Sequence, residues 1–535
     1  MSKIKKRESW GSKIGVIMAV AGSAVGLGNF LRFPVQAAQN GGGAFMIPYF
    51  ISLFLLGIPL MWIEWTLGRY GGGFEHGTAP GIFHSIWQKN RFIKYFGVIG
   101  IFGPLVIFIY YVYIESWTLA YSFFSLTGRY FQLTDLAEMK SFLLGFQGLE
   151  KNQFFNGIVI AYFFFLVTFF INIAIIYHGI KGGIERFCKI AMPFLFIFGL
   201  ILMLRVFTLG TPDPSKPTWN VLNGLGFLWN ADFSSLKSAK VWLEAAGQIF
   251  FTLSVGIGVI LTYASYLSKA DDVVLSGLTA AATNEFAEVI LGASIIIPAA
   301  FVFFGPVEIK SVANSGVFNL GFVTMPLVIN KLPLAPLMGF FWFGLLFLAG
   351  ITSSVSLAQP AIAFLEDEFE LDRRKAVMIF AVVSFILCQP AIFFLGRGVV
   401  DELDFWGGTF FLVVFATIEV ILFGWVFGTS TTLGADGKLR LNIGMERAWD
   451  EIHKGAQMQV PNVYKFIIKY ITPLFLFFIL GMWVKQEWLR KILMQDVSSA
   501  DKIFVLATRL GLLIIFLILA ILVKIAWARR EKVKK

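Results

Sequence analysis

The chain has 535 residues, 57% of them hydrophobic and 17% aromatic, with only 14% charged and a mean hydropathy of +0.76. That balance excludes an ordinary water-soluble protein, which carries more charge and far fewer Phe than the 60 here. The net charge of +11 would suit nucleic acid, but Lys and Arg gather at the termini and in short loops between apolar runs. This is the charge bias of a membrane protein's cytoplasmic face, so membrane lipid is the expected partner and nucleic acid is not.

Apolar runs long enough to cross a hydrocarbon core of about 30 Å recur along the whole chain. They are too long and continuous for barrel strands, and a backbone in lipid must satisfy its own hydrogen bonds, so they are read as helices. Twelve spans are predicted, at about 13–36, 43–69, 92–124, 155–177, 184–209, 241–267, 274–304, 335–367, 374–396, 403–427, 463–485 and 503–528. The basic segment 1–12 precedes them without a cleavable signal. Span one is interrupted at "GSAVGLGN" (Gly22–Asn29) and also carries Arg32 and Pro34. Arg69, Lys89, Arg91 and Lys94 follow span two, and the loops 125–154 and 210–240 are mixed in charge. Span six is interrupted at "FTLSVGIG" (Phe251–Gly258). The loop 305–333 is apolar enough to pack as a lid of short helices. Arg373, Arg374 and Lys375 follow span eight. Segment 428–462 holds "TSTTLGADGKLRLN", whose Asp-Gly turn predicts a small hairpin. A basic tail, 529–535, ends the chain. An even number of spans puts these basic segments on one side, with both termini in the cytoplasm. Cys188 and Cys388 lie in or beside apolar segments and read as free, packed thiols.

Spans one and six lie five spans apart, and both are broken by Gly. Paired interruptions of this kind point to an inverted-repeat transporter with its site at the breaks. An unwound helix frees carbonyls for a cation and creates a new N-terminus whose N–H groups attract an anion. The bland reading, Gly allowing tight helix packing, stands for either break alone. Two matched breaks with Asn29, Arg32 and Thr252 beside them favour a site.

The stretches "AVGLGNFLRFPVQAAQNGGGAFMIPY", "IYYVYIESW", "GQIFFTLSVGIG", "NEFAEVILG", "GITSSVSLAQPAIAFLEDE" and "DELDFWGGT" resemble the neurotransmitter:sodium symporter family, and especially its bacterial leucine-carrying members, from about Trp10 to the last span. The resemblance implies an all-α integral membrane fold of twelve helices. In this leucine-transporter fold, 13–209 and 241–427 form a 5+5 inverted repeat with helices 1 and 6 unwound, and spans eleven and twelve (463–528) stand outside it. It implies a sodium-coupled symporter that imports an L-α-amino acid by alternating access. The first sodium would take the Ala24 carbonyl, the side chains of Asn29 and Asn284, and Thr252, with the substrate carboxylate completing the shell. A second would take the carbonyls of Gly22, Val25 and Ala349 and the hydroxyls of Thr352 and Ser353. The substrate carboxylate would meet the N–H groups of Leu27 and Gly28 and the Tyr111 hydroxyl; its ammonium would meet Ala24, Phe251, Thr252 and Ser254. Members that carry monoamines have Asp at the position of Gly26, so Gly26 favours an amino acid that brings its own carboxylate. Ile107, Phe251, Ile257, Ser353 and Leu357 would line a pocket for an apolar side chain, aliphatic or aromatic. Ile107 and Ile257 depart from the leucine-carrying members, where Val and Phe stand, and single methylenes shift discrimination by about 1–3 kcal/mol.

The resemblance makes Arg32 and Asp404 an outer gate, and Arg7 with Asp367 an inner gate supported by Trp10, Ser265 and Tyr266. Glu288 stands where chloride-dependent relatives have Ser, so two sodium ions and no chloride are expected. Glu64 is placed to accept from N–H groups freed at the span-six break. An enzyme is not expected: the four histidines, His76, His84, His178 and His453, are assigned to loops, and no Walker motif is present. An amino-acid sensor or channel on the same fold is the alternative, and the last spans leave room for a homodimer.

Overall fold

A computed structural model describes residues 8–231, 233–314, 316–428, 430–433, 439–442 and 445–534. Among the described residues, ten helices are long and apolar enough to cross a membrane: Gly43–Gly72, Ile93–Thr127, Val159–Tyr177, Ile180–Phe207, Val273–Glu308, Ala335–Phe369, Arg373–Phe393, Val399–Val426, Val463–Gln486 and Lys502–Glu531. Lys13–Ala24 and Leu27–Gln39 make an eleventh span, bent by 47° at its break. Span six is present as Ala239–Leu253 and Val259–Ala264, joined by Ser254 to Gly258. The chain is therefore a multi-pass helical membrane protein.

Burial orders the bundle. The most apolar window of span three, Ile93–Thr127, is 94% buried, against 22% for spans eleven and twelve. Span three is the axis, and the last two spans are peripheral, turning Leu506, Leu510, Leu513 and Leu517 outward as lipid-facing residues do. Spans one, eight and three pack side by side at the centre. Gly22 allows the close approach, since a Cβ there would lie 3.1 Å from Thr352 Cβ. The 305–333 region folds as short helices, including Met325–Asn330. The hairpin of segment 428–462 is present as Ser430–Leu433 paired antiparallel with Leu439–Asn442; the Asp-Gly turn lies outside the described residues, as do Lys3, Lys5, Lys6 and Arg7.

Two readings change. His84 and His453 are in short helices, Ala79–Ile86 and Glu446–His453, rather than loops, because each helix buries an apolar face. The last helix runs through the tail to Lys534 instead of ending near 528. Its final turns have partners: Trp527 stacks on His76 at 5.8 Å, and Arg530 pairs with Glu368 at 3.0 Å.

Candidate functional site

Both breaks are conformationally fixed. Span one unwinds at Val25 and Gly26, and the Asn29 side chain reaches back to the N-cap of the second helix, its Oδ1 accepting from the Gly26 N–H at 2.8 Å. Span six leaves the helix at Ser254 (φ 54°) and passes through Gly256 (φ 74°) and Gly258 (φ 91°), left-handed positions that suit glycine. Glu64 Oε1 accepts from the Gly256 N–H at 2.5 Å. The breaks meet where Ser254 Oγ donates to the Ser23 carbonyl at 2.9 Å.

A cavity of about 480 Å³ opens from this junction. Its walls include Ala24, Gly26, Leu27, Gly28, Ile107, Tyr111, Phe251, Ser254, Ile257, Ser353 and Leu357, which is every residue expected at the substrate except Thr252, buried behind it at 1% exposure. The Leu27 N–H donates to Tyr111 Oη at 3.3 Å. The Phe251 ring lies on Gly28 so closely that a Cβ there would be 2.4 Å from Cε1. A Cβ on Gly26 would be 2.9 Å from Ser353 Oγ and 3.1 Å from Tyr111 Oη, so no carboxylate side chain fits there without displacing both.

Behind the cavity is a buried polar cluster. Asn29 Nδ2 donates to Asn284 Oδ1 at 2.8 Å and to Thr252 Oγ1 at 3.1 Å. The inward-facing atom of the Asn284 amide is 3.2 Å from the carbonyl oxygens of both Ala24 and Thr252. With nitrogen there, the amide donates to both carbonyls and loses the bond from Asn29; with oxygen there, it keeps that bond and three oxygens face one another. Glu288 borders this cluster, fully buried, accepting from Thr252 Oγ1, from Gln248 Nε2 at 2.5 Å and from Asn29 Nδ2 at 3.3 Å.

A second group joins spans one and eight. Ser353 Oγ is 3.4 Å from the Gly22 carbonyl and 3.1 Å from that of Ala349; Thr352 Oγ1 is 3.1 Å from Ala349 O. Val25 ends the helix that carries Gly22. The hydroxyls bond back to their own helix, as Ser and Thr do in membrane helices, and Ser353 in addition reaches across to span one.

The cavity continues past Arg32, Gln36, Phe318, Val400, Asp401 and Asp404 toward the end of the bundle opposite the termini. Arg32 and Asp404 both face it but do not form the expected ion pair. Arg32 lies over the Phe251 ring at 4.5 Å, and Asp404 accepts from Tyr110 Oη at 2.6 Å. Each charge has a local partner instead.

The end that carries the termini is closed. Trp10 Nε1 donates to the Tyr263 carbonyl at 2.9 Å, Gln359 links Tyr266 Oη (2.8 Å) to Arg373 (2.9 Å), and Arg530 donates to the Asp367 carbonyl at 2.9 Å. Ser265 Oγ donates to Thr262 O at 2.6 Å. Arg7 lies outside the described residues.

Sequence reasoning missed several residues here. Glu185 of span five accepts from the Gly11 N–H (2.6 Å) and Ser12 Oγ (2.9 Å), and Glu8 accepts from the Ile180 N–H at 2.7 Å, so the two segments cap each other. Tyr110 holds Asp404, and Glu402 binds Arg509. An acid inside a predicted span is a functional hypothesis by default, and that signal alone would have flagged Glu185.

The family model of the sodium:neurotransmitter symporter family matches residues 7–133 and 156–527. A sodium-dependent transporter of Methanocaldococcus jannaschii is 31% identical over 88% of this chain and 89% of its own length. The sodium-dependent nutrient amino acid transporter 1 of Drosophila grimshawi is 25% identical over 79% of this chain and 71% of its own. The crystal structure of MhsT in complex with L-phenylalanine superposes with a TM-score of 0.72, at 28% identity, over 89% of this chain and 99% of that one.

Proposed function

Since the chain belongs to the sodium:neurotransmitter symporter family and is a sodium-dependent transporter, we propose that it imports an apolar L-α-amino acid together with two sodium ions and without chloride. One observation carries this reading. The start of helix Leu27–Gln39 and the Tyr111 hydroxyl face the cavity beside a Gly26 that admits no carboxylate of its own, while Ile107, Ile257 and Leu357 line the rest. A helix N-terminus with a hydroxyl beside it suits an anion, and here the substrate must bring it. MhsT, bound to L-phenylalanine in its structure, supports an apolar amino acid.

The first sodium binds where the Asn284 oxygen turns toward the carbonyls of Ala24 and Thr252, with Asn29 and the Thr252 hydroxyl beside them. Hard cations prefer oxygen ligands, and Asn29, whose Nδ2 faces this cluster while its Oδ1 accepts from the Gly26 N–H, must turn its amide to contribute one. The substrate carboxylate completes it, so ion and amino acid each supply the other's counter-charge. The second sodium binds among Gly22, Val25, Ala349, Thr352 and Ser353, pinning span one to span eight. Glu288 supplies the fixed negative charge beside the first ion, which removes the need for chloride. Arg32 and Asp404 close the outer vestibule over Phe251, and the Trp10, Ser265, Tyr266 and Asp367 region, with Arg7, closes the inner one. Both termini are cytoplasmic, and the location is a bacterial inner membrane.

A thermal-shift panel of the twenty amino acids, with sodium or potassium gluconate as the only salt, tests this. Leu, Ile, Val, Met or Phe should raise the melting temperature in sodium only, whereas Asp, Lys and monoamines should not. A charged amino acid as the best ligand, or binding equal in potassium, would overturn it. Binding without uptake into vesicles would instead favour a sensor.

A further inference from the structure

Span ten begins with three acids, Asp401, Glu402 and Asp404. A helix turns about 100° per residue, so Asp401 and Asp404 share a side and Glu402 points elsewhere. Asp401 and Asp404 line the vestibule; Glu402 faces span twelve with its side chain 2% exposed. There it is saturated. Oε2 accepts from Arg509 Nε at 2.9 Å and Trp406 Nε1 at 3.0 Å, and Oε1 accepts from Lys491 Nζ at 2.8 Å and Arg509 Nη2 at 3.3 Å. Arg509 is held independently by the carbonyls of Lys491 (2.6 Å) and Ile492 (3.0 Å). Lys491 is held less tightly: it lies over the Phe405 ring at 4.5 Å, on a flexible four-carbon stem, and within electrostatic reach of Asp401.

The surroundings thus bring two cations to the helix end that carries Asp404. Asp404 is useful only if it remains available to Arg32, which faces it across the cavity. We propose that Glu402 is a positioning residue for the outer gate. It engages Arg509 and Lys491, fixes the rotation of the start of span ten, and so keeps both cations from competing with Arg32 for Asp404. Without it, Lys491 swings to Asp401 and Asp404, and the vestibule closes less readily over bound substrate. The inference rests on the reading of Arg32 and Asp404 as the outer gate.

The test is sodium-driven uptake of labelled L-leucine and L-phenylalanine by full-length protein in proteoliposomes, with rates normalised to folded protein. Asp404→Asn should raise KM about two- to fivefold, the value of one partly exposed ion pair. Glu402→Gln, nearly isosteric and still able to accept from Trp406, should raise KM by a similar factor with the maximal rate within about twofold. Added to Asp404→Asn, it should cost nothing further. Lys491→Met should restore the KM of Glu402→Gln, and a merely structural role would not give that rescue. If Glu402→Gln fails to fold, Glu402→Asp is read the same way, with a smaller rise that vanishes in the Asp404→Asn background. Equal rises in both backgrounds, or a lowered melting temperature at unchanged KM, would overturn the proposal while leaving the gate intact. An unchanged KM in Asp404→Asn would overturn the gate reading and this inference with it.

Discussion

A side chain on Gly28 would run into the Phe251 ring, and one on Gly26 would push Ser353 Oγ and Tyr111 Oη aside. The two glycines leave the N–H end of a helix bare at the cavity wall. The Tyr111 hydroxyl sits 3.3 Å from the Leu27 nitrogen, at the edge proposed to take the substrate carboxylate. Tyr111→Phe removes one hydrogen bond to a charged group, worth about 1.5–3 kcal/mol, so KM in sodium-driven uptake should rise roughly ten- to hundredfold with folding intact. An unchanged KM would place the substrate carboxylate elsewhere. Glu288 gives a second expectation at this scale. Its carboxylate touches Asn29 and Thr252, so Glu288→Ser should make uptake rise with added chloride, whereas the natural protein should be indifferent to it. A Ser variant equally indifferent would contradict the assigned charge.

At the scale of elements, spans one and six were legible as broken because Gly22, Gly26, Gly28, Gly256 and Gly258 interrupt apolar runs. Residue roles at the breaks came from the resemblance, since spacing alone does not say which carbonyl faces a cation. The caps were not legible. Glu185 meets Gly11 across 174 positions, and Arg509 meets Glu402 across 107, and no local pattern encodes such pairs. The end of span twelve was misjudged for the same reason: its basic residues look like a solvated tail until Arg530 is seen against Glu368. The Glu185 cap makes a prediction of its own. It holds Gly11 and Ser12, and Ser12 is the N-cap of Lys13–Ala24, its Oγ accepting from the Gly15 N–H at 3.0 Å. Weakening the hydrogen bonds to a charged acceptor costs about 1–2 kcal/mol, so Glu185→Gln should speed hydrogen exchange in residues 11–24 about five- to thirtyfold. Span three, with no such cap, should exchange as before. Equal protection of residues 11–24 in the variant would mean that Glu185 does not secure the inner end.

The whole molecule is open at one end and closed at the other. The cavity reaches past Arg32 and Asp404, which are not paired with each other, while the terminal end is shut by Trp10 on Tyr263, by the Tyr266–Gln359–Arg373 chain and by the contacts of Glu8 and Glu185. In the proposed cycle alternating access would exchange these sets, and two sets of a few polar contacts each differ by only a few kcal/mol, within what ion and substrate binding can shift. Coupling follows if the substrate carboxylate and the first sodium share a shell, because neither then binds well alone. The most direct test is uptake of labelled L-leucine and L-phenylalanine by proteoliposomes in chloride-free medium under an inward sodium gradient. The account predicts accumulation above the external concentration that collapses when sodium is equal on both sides. Binding without accumulation, or uptake that merely equilibrates, would contradict it.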